Sequence, residues 1–381
     1  MYDDVYDDTL NETDMLAICQ GMDTTVLETT ALGQEIATLS NHLWRQDLIE
    51  VDRQLKTLAT TERLLNSQHL MLPDGYGSDI MVLAPDALLD TLTTLYTVLM
   101  AMFHETDIGQ HYRPSPYAQR FLWAFASCAY LREAGFHQPP TMNRQVAEQT
   151  VMELNQRLTA WYQCLKQPDF TYECSRNRRN SRNNYQRLRQ LMDALFARYS
   201  RLTVLRVDLS YSKMDGSYID YETARYHREQ MCEAFHRHEL FAHLLGYAWK
   251  LEWKPKKGFH YHFLFFFHGH HVQEDVPHAQ RIGELWARSI TGGQGHYYNC
   301  NRDAENAYHY NALGRIEYHD FEKQRGLDYI ARYLTKIDEY AEILVTGRKF
   351  QTSPMPDVPE GPRPGRPRQQ PATWCYGELS F

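Results

Sequence analysis

His260 and His262 flank a single tyrosine and run directly into Phe263-Leu264-Phe265-Phe266-Phe267. An apolar run of this length behind a turn predicts a buried β-strand. Residues two apart in a strand point to the same face, so the two imidazoles become neighbours able to grip one metal ion. Glu252 precedes the turn Lys254-Pro255-Lys256-Lys257-Gly258. If the segments on either side of that turn pair as an antiparallel hairpin, its carboxylate faces the start of the histidine strand. Two imidazoles and a carboxylate, with positions left for water and substrate, suit a divalent ion acting as a Lewis acid. A salt bridge from Glu252 to Lys254 or Lys256 is the structural alternative. His268, His270 and His271 follow the strand and read as loop residues.

The second chemical segment is Tyr329-Ile330-Ala331-Arg332-Tyr333-Leu334-Thr335-Lys336. At about 100° per helical residue, Tyr333 lies about 40° from Tyr329 and Lys336 about 20° on its other side. Two phenols and an ammonium on one helical face, beside a metal, suit phosphoryl transfer: a tyrosine attacks a phosphodiester and the lysine neutralises it. A helix packing two aromatics into a core would show the same spacing. His238-Glu239-Leu240-Phe241-Ala242-His243 imitates a zinc-protease signature, but its histidines are five apart and cannot share a metal on a helix.

The elements that must carry these residues follow from pattern. The chain has 381 residues, 43% hydrophobic and 23% charged, enough for one large or two ordinary domains. Helical periodicity runs through 15–72, 85–103, 116–135 and 144–166, the last capped by Asn143. The stretch 168–184 is polar and reads as a break. Strands are expected at 204–211, 246–253 and 258–267, with a short one at 315–318, and helices at 221–245, 276–290 and 326–344. This gives an α+β fold: a central antiparallel sheet flanked by helices in the C-terminal half, preceded by an all-α N-terminal domain. The expected division is 1–170 helical, 171–195 a basic Arg/Asn-rich connector, 196–350 catalytic, and 351–381 a disordered Pro/Arg-rich tail.

The net charge of −8 is unevenly spread. Arg176, Arg178, Arg179, Arg182 and Arg187 sit among asparagines in a stretch suited to neutralising phosphates. In the tail, Arg366 lies in Arg363-Pro364-Gly365-Arg366-Pro367-Arg368, which resembles an AT-hook for narrow minor grooves. The acidic N-terminus is opposite to a secretory signal, no apolar run is long enough to span a membrane, and the seven scattered cysteines lack a Cys-x-x-Cys pair. A cytoplasmic protein with reduced thiols is expected.

In order, Arg206-Val207-Asp208-Leu209, a carboxylate before a hairpin, His260-Tyr261-His262 and Tyr329-x-x-x-Tyr333-x-x-Lys336 resemble the three motifs of the HUH endonucleases, in particular the rolling-circle replication initiators of filamentous phages (inovirus type). The resemblance spans roughly residues 195–350. It implies an HUH-type nicking and joining enzyme, working with Mg²⁺ or Mn²⁺ in a bacterial host cell. Such an enzyme acts on single-stranded or supercoiled origin DNA, forms a 5′-phosphotyrosine and frees a 3′-hydroxyl. Carried over, His260 and His262 are metal ligands with Glu252 the third, Tyr333 or Tyr329 is the nucleophile, and Lys336 assists. Asp208 reads as a strand residue rather than a ligand. The N-terminal half matches no motif; origin recognition or recruitment of a host helicase or other replication protein are its plausible tasks. A two-histidine, one-carboxylate non-haem iron protein and a non-cutting DNA-binding regulator with a degenerate HUH domain are the alternatives.

Overall fold

The computed structural model describes the strands at 26–29 and 35–38 and residues 43–357, except 67–70, 74–79, 85, 105, 137–138, 213–215, 217, 256, 303 and 305–311. Arg366 and most of the tail, the acidic N-terminus and Lys256 therefore lie outside the described residues. The chain divides into two compact units, one built on Asn41–Arg179 with Asp338–Leu344, the other on Asn180–Ile337 with the segment from Val345.

The first unit is largely helical. Helices Leu43–Thr61, Ala87–Phe103, Pro116–Phe125, Ala129–Phe136 and Arg144–Leu165 enclose a core that includes Leu92, Tyr96, Leu99, Phe121, Leu154, Leu158 and Trp161. Asn143 caps the last of these, its Oδ1 accepting from Val146 N at 2.9 Å. The periodicity over 15–72 mixed two signals. Val26–Thr29 and Glu35–Thr38, which belong to the second unit, are an antiparallel strand pair, since β-branched Val26, Thr29, Ile36 and Thr38 favour extended backbone, and the first unit's helix begins only at Leu43. Met71–Pro73, Ile80–Leu83 and Met142–Asn143 form a small sheet, and Tyr112–Pro114 pairs with Ala341–Ile343, so the helical half also carries short strands.

The second unit is built on an antiparallel sheet. Its elements are α1 (Pro168–Arg198, which begins before the unit boundary), β1 (Arg201–Tyr211), α2 (Tyr221–Arg237), β2 (Leu244–Lys254) and β3 (Gly258–His268). α3 (Asp275–Glu284), β4 (Gly295–Asn299), β5 (Gly314–Glu317), α4 (Phe321–Lys336) and β6 (Phe350–Thr352) complete it. The strand order is β4-β1-β3-β2-β6, with β5 also pairing to β1. The mixed α+β architecture is thus present.

The segment expected to be a breaker-rich connector is instead a 31-residue helix. From Asp169 to Arg198 it contains no glycine or proline, and Leu188, Leu191, Met192, Leu195 and Phe196 form a buried stripe that outweighs the asparagines' weak propensity. α4 starts at Phe321, where the Asp320 side chain accepts from Lys323 N at 3.1 Å, and it ends at Lys336 rather than 344. α2 likewise stops at Arg237, because His238 is extended.

Helices cover both faces of the sheet. Phe235 of α2 packs on Phe263 and Phe265, and Trp286, just beyond α3, packs on Tyr211 and Tyr261. On the opposite face, Leu191 and Leu195 of α1 approach Gly246 and α4 lays Tyr333 beside His262. A central strand covered on both sides needs apolar residues at nearly every position, which is why β3 reads as an almost unbroken run and is buried from Gly258 to Phe267.

The β2–β3 turn ends at Gly258, which adopts φ +67°, and a Cβ there would sit 2.1 Å from Gly216 O. Gly258→Ala should therefore destabilise the fold by at least about 1–3 kcal/mol. A fall in the urea midpoint at unchanged slope measures it.

Candidate metal centre

Strand register assembles the site. β2 and β3 place Glu252 opposite His260 and Lys250 opposite His262, while β1 and β3 place Asp208 opposite His262. Arg206, Asp208, Lys250, Glu252, His260 and His262 therefore share one face of the sheet. Glu252, His260 and His262 are at most 3% exposed.

Glu252 Oε2 lies 2.7 Å from His262 Nε2 and 3.4 Å from His260 Nε2. The imidazole centroids are 5.1 Å apart. One donor atom from each of the three residues falls within 4.8 Å of the others, and this is the only such group of three or more among the described residues. His260 Nδ1 lies 3.1 Å from Gly258 O, which places its hydrogen there and turns the Nε2 lone pair toward the cluster. That Nε2 has no hydrogen-bond partner among the described residues. A buried nitrogen left unsatisfied beside a carboxylate and a second imidazole is the arrangement a cation would complete, so the donor set fits a divalent metal.

Burial dominates the electrostatics of His260 and drives its pKa down to about 3, so the ring is neutral at physiological pH, the form a metal requires. Burial also opposes ionisation of Asp208, but Arg206 and His262 outweigh it and hold that carboxyl far below the ordinary range. Both groups bind fewer protons folded than unfolded, so stability must fall as pH drops. For the His260 contribution the window runs from about pH 6.5 down to about 3. Metal-free protein should lose a few kcal/mol across it, and His260→Gln should flatten the slope in denaturation curves taken at successive pH values.

Tyr333 is buried against the cluster, its ring 6.5 Å from that of His262, and the Arg206 guanidinium lies 5.6 Å from its centroid. Tyr329 is one turn earlier and half-buried, beside Arg325, whose Nη2 reaches its hydroxyl at 3.4 Å. Lys336 is half-buried at the end of the helix. The structure thus brings Tyr333 to the histidines and places Tyr329 at a distinct position. α4 is held against α1 by Tyr185 Oη donating to Asp328 Oδ1 at 2.6 Å and Ser181 Oγ donating to Thr335 O at 2.6 Å.

The basic segment lies on α1. Arg178, Arg179, Arg182 and Arg187 are exposed, whereas Arg176 is half-buried and 3.8 Å from Glu342. His243 and His271 stack at 4.1 Å near His268, without joining a set of three converging ligand atoms. His238 and His243 fall beyond the end of α2 and flank a single 3₁₀ turn at Glu239–Phe241, so the protease-like motif is not on an α-helix. Cys128, Cys164, Cys174, Cys232 and Cys300 form no disulfide among the described residues. No helix of the described residues is long and apolar enough to cross a membrane.

Asp208 is a strand residue, as expected, and its register also puts it on the ligand face together with Arg206 and Lys250, for which the sequence offers no separate motif. The signal available was period two: Arg206, Asp208 and Ser210 place polar groups on alternate positions of an otherwise buried strand.

These features define a two-histidine, one-carboxylate centre on the central strands of an antiparallel sheet, faced by a tyrosine-bearing helix. Residues 170–339 match the family described as the YagK/YfjJ C-terminal domain, a span from the start of α1 to just past the end of α4. No curated protein and no solved structure matches the chain.

Proposed function

We propose that the second unit is a metal-dependent, HUH-type nicking and joining enzyme that opens one DNA strand by tyrosine attack, the chemistry that initiates rolling-circle replication. The observation that carries this reading is the position of Tyr333, buried with its ring edge-to-face against that of His262, a member of the set Glu252, His260 and His262, at 6.5 Å between centroids. A structural aromatic could pack anywhere on α4, whereas phosphoryl transfer needs the phenol beside the metal ligands.

Glu252, His260 and His262 would hold Mg²⁺ or Mn²⁺, and the bound ion would polarise the scissile phosphate. The Tyr333 oxygen forms the bond to phosphorus as the P–O3′ bond breaks. The phenol gives up its proton, the departing 3′ oxygen gains one, and the 5′-phosphate stays on the protein. Lys336 neutralises the phosphate, and Tyr329 serves as a second acceptor for strand joining. The exposed arginines Arg178, Arg179, Arg182 and Arg187 would contact the DNA backbone, and binding should then weaken steeply as salt is raised. Because the three ligands and Tyr333 are all buried, α4 must tilt away from the sheet before a DNA backbone enters.

The test is conversion of supercoiled origin-bearing plasmid to the open circle. Conversion with Mn²⁺ or Mg²⁺ that stops on chelation supports the reading. DNA binding without nicking under every divalent metal would instead identify a regulator with a degenerate site.

A further inference from the structure

Each ligand histidine has its Nδ1 engaged by a different kind of group. For His260 it is a backbone carbonyl, Gly258 O at 3.1 Å; for His262 it is a carboxylate, Asp208 Oδ1 at 2.7 Å. Arg206 Nη2 also approaches His262 Nδ1, at 3.3 Å, but arginine only donates, so Asp208 is the group that can take a hydrogen from Nδ1; Nε2 lies equally close to Glu252 Oε2, at 2.7 Å, and a cation held between those two atoms would leave the hydrogen on Nδ1. Asp208 is itself gripped by Arg206, Nε to Oδ1 at 3.2 Å and Nη2 to Oδ2 at 3.4 Å. The Arg206 backbone N–H is held in turn by Asn301 Oδ1 at 2.9 Å.

We propose that Asp208, clamped by Arg206, is the positioning residue of this centre: it orients His262 so that Nε2 faces the metal position, and it makes that imidazole the stronger of the two histidine ligands. The inference rests on the metal-centre reading above and assigns a role to a strand residue that touches neither the metal position nor the phosphate. A carboxylate hydrogen-bonded to the distal nitrogen fixes the ring's tautomer and orientation and raises its basicity. The electrostatics point the same way. A nearly buried arginine–aspartate pair returns little net stability after desolvation, so its presence on the ligand face is better explained by what it does to His262 than by what it adds to the fold. The same guanidinium lies over Tyr333, so one strand ties a metal ligand to the attacking phenol.

The experiment is titration of the full chain with Mn²⁺, followed by the electron paramagnetic resonance of the free ion, for wild type, Asp208→Asn and Arg206→Lys, with metal-free urea midpoints for each. Asp208→Asn is expected to weaken Mn²⁺ binding about 10–100-fold. Arg206→Lys, which keeps the charge but loses the two-point grip, is expected to weaken it severalfold. Both losses must exceed anything explained by the unfolded fraction, which the urea midpoints give. If Asp208→Asn fails to fold, the Arg206→Lys result decides alone. Wild-type binding with both variants within twofold of it overturns the positioning role and leaves the metal centre standing. Absence of Mn²⁺ binding by folded wild type removes the centre and this role with it.

Discussion

Tyr333→Phe should lower nicking of origin DNA by on the order of 10³-fold or more, while Tyr329→Phe retains first-strand cleavage and loses mainly the joining step. The size follows from the proposed chemistry: there the phenol oxygen would be the atom that bonds to phosphorus, and removing a nucleophile costs about as much as dismantling the rest of its catalytic group. The asymmetry follows from position, because Tyr333 faces His262 and Arg206 whereas Tyr329 sits one turn away beside Arg325. Single-turnover rates on a labelled origin strand measure both variants. Equal losses in the two would mean that α4 presents either tyrosine to the site. Unchanged melting temperatures are needed for the comparison, since Tyr333 is also a buried ring.

His262→Ala should damage both binding and stability. It removes one of the three proposed metal ligands and leaves Asp208 and Glu252 facing each other across a gap without the imidazole that separates them. Stripping a buried carboxylate of its partner costs about 3–5 kcal/mol. Wild type should gain about 2.7 kcal/mol from Mn²⁺ at a hundred times its dissociation constant, and the variant should gain none. Chemical denaturation with and without Mn²⁺ reads both effects. A variant still stabilised by Mn²⁺ would place the ion elsewhere.

The site was legible where a short-range pattern and its structural consequence coincide. His-x-His before five apolar residues specified a shared face, and the turn at Lys254–Gly258 put Glu252 opposite His260, the register observed. The place of Asp208 beside His262 was not legible, because it depends on β1 pairing with β3 across more than fifty intervening residues, a register that no local signal encodes. The helix over 168–198 was misread because Arg and Asn suggest a linker, while its buried stripe is concentrated in the final third. β4, Gly295–Asn299, was missed because it is a half-buried edge strand in a glycine-rich setting, with little apolar alternation to reveal it. The strand pair at 26–38 was missed because Leu27, Leu32, Ile36 and Leu39 mimic helical spacing.

In the proposed reaction a tyrosine of α4 takes a DNA phosphate covalently with the help of the histidine cluster. Incubating the protein with internally labelled single-stranded origin DNA and Mn²⁺, denaturing it and mapping the labelled peptide tests this directly. Label is expected on the peptide containing Tyr333, absent after chelation and absent from the Tyr329→Phe, Tyr333→Phe double variant. Label that persists in the double variant would contradict the nucleophile assignment. No label at all, together with tight Fe²⁺ binding and oxygen consumption, would make the cluster an iron centre of a different class.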